Sequence, residues 1–199
     1  ILYDNDKKAK WQYLLLAYEY DRGRRFQTLH KIRECYLHID KYKLFKMKVA
    51  VAAKTLSNTM AAAIKTMVSQ TSMPSEAIET AEFICDMNNL FDSFNSGGIN
   101  CKKANPPLRN AITNQSRHFI FWDQMKTKIE TWQFLDEKKN TIRTTMPFKQ
   151  GWLNNIEAMK LIWPICSGAG FKFLRTRMLN QDPLENLFSV IRQHGSGNT

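Results

Sequence analysis

Apolar positions recur at helical spacing along most of this 199-residue chain. Val49, Ala52, Leu56, Met60, Ala63, Ile64 and Met67 form one stripe, which predicts a single helix from Val49 to about Ser69 with that face in the core. Its alanines favour helix and close packing. Glu76 and Glu79 open a further helix, where the macrodipole favours acids, and Ile78, Ala81, Ile84, Cys85 and Phe91 face inward along it to about Asn95. Gly97-Gly98 ends it. Upstream, Trp11 to Tyr18 is apolar nearly all round and reads as a short buried helix, broken by Gly23 and its neighbouring arginines. Downstream the pattern predicts a helix or helix pair from Leu108 to Lys139. A loop marked by Pro147 and Gly151 follows, then a helix from Trp152 to Trp163 that Pro164 closes. Ser167 to Gly170 is a turn, and Phe171 to Leu174 is the one good strand candidate.

The strand runs into Leu179-Asn-Gln-Asp-Pro-Leu-Glu-Asn-Leu-Phe188. Asp182 suits an N-cap, Pro183 the first helical position and Glu185 the third, from which a carboxylate reaches back in a capping box. Leu184, Leu187, Phe188 and Ile191 then give an amphipathic helix that Gly195 stops. From the residues alone this is a well-capped helix with two carboxylates on its first turn.

Charge changes the picture more than composition does. A formal +11 and a sequence pI near 9.6 call for a polyanionic partner, most simply nucleic acid. From His30 to Lys48 lysines and arginines interleave with Tyr36, Tyr42 and Phe45, a mixture suited to phosphate contact or base stacking as well as to a solvated loop. Cys35, Cys85, Cys101 and Cys166 are scattered with no Cys-x-x-Cys pair, so they read as reduced thiols of an intracellular protein rather than a disulfide frame or a zinc site. No apolar run approaches a membrane span. There is no P-loop, Gly-x-Gly-x-x-Gly or Gly-x-Ser-x-Gly, so any nucleotide must bind without a Walker loop. The chain reads as a piece of a larger protein.

Four stretches together resemble the P element transposase family, including its THAP-type relatives: Trp11 to Asp21; Phe45-Lys46-Met47-Lys48-Val49 with the alanine-rich helix after it; Phe91-Asp92-Ser93-Phe94-Asn95; and Leu174 to Gly195. The last is the most specific. The resemblance implies an RNase H-like catalytic domain interrupted by a mainly helical, GTP-binding insertion. It also implies that Glu185 is the third catalytic carboxylate, with Asp182 beside it, at a Mg2+ site that cuts and joins DNA. Two further catalytic Asp residues have no counterpart here and are expected upstream of Ile1. Asp92 and Asn95, with Phe91 beside them, correspond to the residues that recognise guanine. Lys48 and Val49 correspond to the pair near the bound nucleotide, and Lys31 to a phosphate-side lysine. A carboxylate accepts from guanine N1–H and its 2-amino group together, a pattern that adenine lacks.

The expected fold is therefore mainly α: a helical insertion domain followed by the last strand and helix of a split RNase H-like (α/β) fold. Residues 1–30 end the first RNase H-like part, 31–166 form the insertion and 167–199 the closing segment. The expected function is that of a P element-like DNA transposase segment, inactive alone, with GTP and Mg2+ as cofactors. DNA ends and target are its partners, with no membrane, a nuclear location and a homo-oligomer of the full-length protein. The alternative is a domesticated, catalytically inactive descendant that keeps DNA or protein binding.

Overall fold

A computed structural model describes residues 1–3, 6–38, 41–45, 48–98, 107–135, 141–143 and 146–195. The architecture is mainly helical. The short strands β1 (Leu2–Tyr3) and β2 (Lys7–Lys8) lead into α1 (Gln12–Arg22), α2 (Glu34–Leu37), α3 (Val49–Thr55), α4 (Asn58–Ser69) and α5 (Ala77–Phe94). After these come α6 (His118–Thr131), β3 (Phe134–Leu135), β4 (Thr141–Arg143), α7 (Pro147–Gly168) and α8 (Asp182–Gly195). Two antiparallel pairs, β1 with β2 and β3 with β4, are the only sheets among the described residues. The chain divides into two compact units, residues 1–90 with 124–154 and residues 91–123 with 155–199.

The first unit is built on α4. Met60, Ala63, Ile64 and Met67 are buried against Leu14 and Ala17 of α1 and Ala77, Ala81 and Ile84 of α5. The stripe predicted from Val49 onward holds only over this second half. Val49 and Ala52 are exposed, and the helix breaks at Leu56-Ser57. Ser57 is the reason: its Oγ accepts the Met60 N–H, which restarts the helix as an N-cap. Nor is α1 buried all round, since Leu16 and Tyr20 are exposed while Tyr13, Leu14, Ala17 and Asp21 face in. The Asp21 carboxylate accepts from the Thr28 and Leu29 amides at 3.0 and 2.8 Å, which closes the loop after α1. β1 and β2 lie on α5, where the Lys8 amide donates to Glu79 and Lys7 pairs with Glu82 at 2.9 Å. A column of aromatic rings, Tyr3, Phe83 and Trp132, packs beside them.

Further expectations are narrowed or give way. Of the helix or helix pair expected from Leu108 to Lys139, the residues described up to Leu135 form a single, shorter helix, α6, flanked by a 3-10 turn (Pro107–Arg109) and by β3. Trp132 leaves the helix to be buried against Phe83. The expected loop at Pro147 is the first turn of α7, since proline lacks a donor that this position would not use. Lys149 Nζ there donates to the Glu130 and Trp132 carbonyls at 2.8 and 3.1 Å, capping the end of α6. α7 then continues through the exposed Pro164 to Gly168, so Pro164 does not close it. Finally, Phe171 to Leu174 forms no strand: only Leu174 pairs, in an isolated antiparallel bridge with Ile112. One paired position without a neighbouring sheet cannot extend a ladder.

Candidate functional site

Asp92 and Asn95 occupy the C-terminal end of α5, in the second unit. The Asn95 amide donates to the Asp92 carbonyl at 3.1 Å, a tightened last turn that keeps both side chains on one side of the helix end. Asp92 is buried, and its Oδ2 lies 2.9 Å from Arg109 Nε, an ion pair whose cationic partner is half-exposed. Asn95 Oδ1 is buried, and among the described residues nothing donates to it. A buried amide oxygen without a donor is costly, and a ligand N–H would relieve it. Phe91 is half-buried one turn earlier.

Between these side chains the helix end is tied down by a buried polar network. Ser93 Oγ accepts from Trp122 Nε1 at 2.9 Å. Ser96 N–H donates to Thr176 Oγ1 at 2.8 Å, the two hydroxyls lie 2.9 Å apart, and Thr176 Oγ1 donates to the Ser93 carbonyl at 3.1 Å. Thr176 N–H returns a bond to Ser96 Oγ at 3.2 Å. Phe94 stacks on Trp122 with ring centroids 5.2 Å apart. Thr176 opens a 3-10 turn (Thr176–Leu179) that leads directly to α8.

The other expected nucleotide residues belong to the first unit. Lys48 is the N-cap residue of α3, exposed, with its ammonium 5.1 Å from the Phe45 ring centroid, and exposed Val49 follows it. Lys31 is exposed on the loop before α2. The structure thus brings Phe91, Asp92 and Asn95 together at one helix end, and Lys48 and Val49 at another. Lys46 and Met47, quoted in the family resemblance, lie outside the described residues.

At the C-terminus the expected helix forms, starting one residue early, so Asp182 is not its N-cap residue and Glu185 is not at the third position of a capping box. Glu185 N–H donates to the Gln181 carbonyl at 2.9 Å, so Gln181 takes the cap place and Glu185 the fourth helical position. Pro183, with helical φ and no donor, is as acceptable in second place as in first. The side chain of Asp182 lies outside the described residues, and Glu185 is exposed. Among the described residues no group of three or more His, Cys, Asp or Glu is placed to hold a metal ion. Leu184, Leu187, Phe188, Val190 and Ile191 leave the apolar side of α8 about half exposed.

Sequence reasoning missed Arg109, Ser96, Thr176 and Trp122. None stands in a periodic pattern with the residue it bonds, and the Ser96–Thr176 pair spans 80 positions.

Comparison with known proteins adds to this geometry. A family model described as TNP-like, GTP-binding insertion domain matches residues 1–107. The transposable element P transposase of Drosophila melanogaster is 32% identical over 176 residues, covering 84% of this chain and 21% of that protein. The Drosophila P element transposase strand transfer complex contains a chain similar in fold, with a TM-score of 0.78 at 24% identity, covering 96% of this chain and 41% of that one. This chain therefore spans about a fifth of the length of the curated relative it matches.

Proposed function

The chain belongs to the TNP-like GTP-binding insertion domain family and is homologous to P element transposase, and on that premise we propose that it is a segment of a DNA transposase whose α5 end reads the guanine base of GTP. The observation that carries this reading is the pair at that end: a buried carboxylate, Asp92, beside a buried amide oxygen, Asn95 Oδ1, that no described residue satisfies. Guanine N1–H and its 2-amino group supply two donors on one edge, matching two acceptors at that helix end. Each carboxylate oxygen has two lone pairs, so Arg109 and the base can share Asp92. On the family resemblance alone, Lys48 and Val49 are proposed as the pair near the nucleotide and Lys31 as a phosphate-side lysine, whose ammonium meets phosphate as a point charge.

Glu185, with Asp182 three residues before it, is proposed as a carboxylate arm of a Mg2+ site for phosphodiester cleavage and joining. One arm does not hold a metal, so the remaining carboxylates and the metal-dependent step belong to a longer protein. The half-exposed apolar side of α8 supports reading residues 167–199 as the closing part of a split RNase H-like fold; from the resemblance, 1–30 are proposed as its earlier end and 31–166 as the insertion. DNA as substrate, a nuclear location and assembly of copies in the longer protein complete the proposal.

Titration of the 199-residue chain with fluorescent GTP and ATP tests the base site. GTP is expected to bind in preference, and Asp92→Ala to weaken GTP by about 10- to 100-fold, as loss of charge-assisted hydrogen bonds implies, while leaving ATP little changed. Equal binding of the two nucleotides by the unaltered chain would sink the reading.

A further inference from the structure

We propose that the surface assembled around α2 grips the phosphodiester backbone of duplex DNA, with Arg22, Arg33, Lys41, Lys43 and Lys54 as its phosphate contacts. Between Arg22 and Lys54 ten lysines and arginines stand against two acids, so these 33 residues carry a net +8 of the chain's +11. Sequence proximity alone would make this a loosely charged stretch. The fold makes it one face.

Three segments converge on the four residues of α2. Arg22, at the end of α1, lies 3.6 Å from Glu34. Lys54 of α3 stands 5.7 Å from the centre of the Tyr36 ring, and Phe45 meets the same ring edge-on at 5.5 Å. The Lys41 and Tyr42 amides both donate to the His38 carbonyl, folding the Lys41–Phe45 segment back onto the end of α2. All five proposed contacts are exposed, and Glu34 is the one acid of the stretch among the described residues. At 3.6 Å and largely solvated, the Arg22–Glu34 pair is too weak to withhold that arginine from a phosphate.

The apolar residues of the stretch identify the polyanion. Leu44 and Phe26, 86% and 82% exposed, are the two most exposed large hydrophobic side chains among the described residues, and both fall inside it. Sugar and base edges offer such tips apolar contact, which inorganic polyphosphate does not. An anionic lipid surface also would, but it selects a helix with a continuous apolar side. Leu44 stands in a 3-10 turn (Lys43–Phe45) and Phe26 in a loop. Duplex DNA, one charge per about 1.7 Å of axis, fits a compact cluster of long cationic side chains.

This inference rests on DNA as partner in the proposed function, but not on its nucleotide or metal sites. Fluorescence anisotropy of the 199-residue chain with a labelled 20-base-pair duplex, repeated across salt concentrations, tests it. Lys41→Glu with Lys43→Glu is expected to weaken binding at least 10-fold and to lower the log–log salt slope by about 2. The same reversal at exposed Lys65 and Lys172 should do neither, with circular dichroism confirming that all variants fold. Equal loss from the two pairs, or none from the first, overturns the surface while leaving DNA binding standing. No duplex binding by the unaltered chain overturns both readings, and binding to phosphatidylserine vesicles in its place would assign the surface to a membrane.

Discussion

At His118 burial and a backbone carbonyl pull the imidazole in opposite directions. The ring is 1% exposed at the start of α6, its Nε2–H donates to the Leu108 carbonyl at 3.0 Å, and nothing described meets Nδ1. Burial dominates and holds the pKa below the ordinary 6.5, against the opposing pull of the Leu108 bond. The neutral form is favoured in the folded state, so the unfolded chain binds more protons below that value. Stability carried by His118 is therefore complete above pH 6.5 and falls as acid approaches the folded pKa. Urea unfolding from pH 7 to pH 5 should show this loss, and His118→Gln should shrink it; an unchanged slope would separate His118 from the acid response. Residue roles of this kind were illegible in the sequence. A histidine, a serine or a threonine is read by its partners, and here Leu108, Trp122 and Thr176 lie at separations that no local pattern encodes.

Helices were more legible than their ends. Period-3.6 spacing located α4, α5 and α8, because each buries or presents one apolar side. It failed where a local hydrogen bond outcompeted the stripe, as at Ser57, and where glycine or proline was read as punctuation. Gly151 shows the second failure best. It sits within α7, a Cβ there would meet nothing within 4 Å, and its backbone is not left-handed. Gly151→Ala should therefore stabilise the chain by about 0.5–1 kcal/mol, and a thermal melt should rise by about 1–4 °C. No rise, or a fall, would show that α7 needs the freedom of a glycine there.

At the scale of the whole molecule, most of the charge was readable and most of the site was not. Composition alone called for a polyanion, whereas the face that would meet it depends on three segments folding onto α2. Likewise Asp92 and Asn95 could be placed on one helix end by spacing, but the Arg109 pair and an Oδ1 that no described residue satisfies belong to tertiary structure. The role proposed for Glu185 depends on still more chain. In a longer, active protein, Glu185→Gln should reduce DNA strand transfer by several orders of magnitude while leaving folding and GTP binding unchanged. Retained activity would remove Glu185 from the reaction, and loss of GTP binding as well would point to a structural defect.

The Ser96–Thr176 network also imposes an order in time. A ribosome adding about 5–20 residues per second releases Ser96 roughly 4–16 s before Thr176, given their separation of 80 residues. Through that interval the end of α5 has only water for its Ser96 amide and hydroxyl. Closing so long a loop costs about 4 kcal/mol in chain entropy, so the end of α5 reaches its final form only after Thr176, on the segment leading to Glu185, has been made.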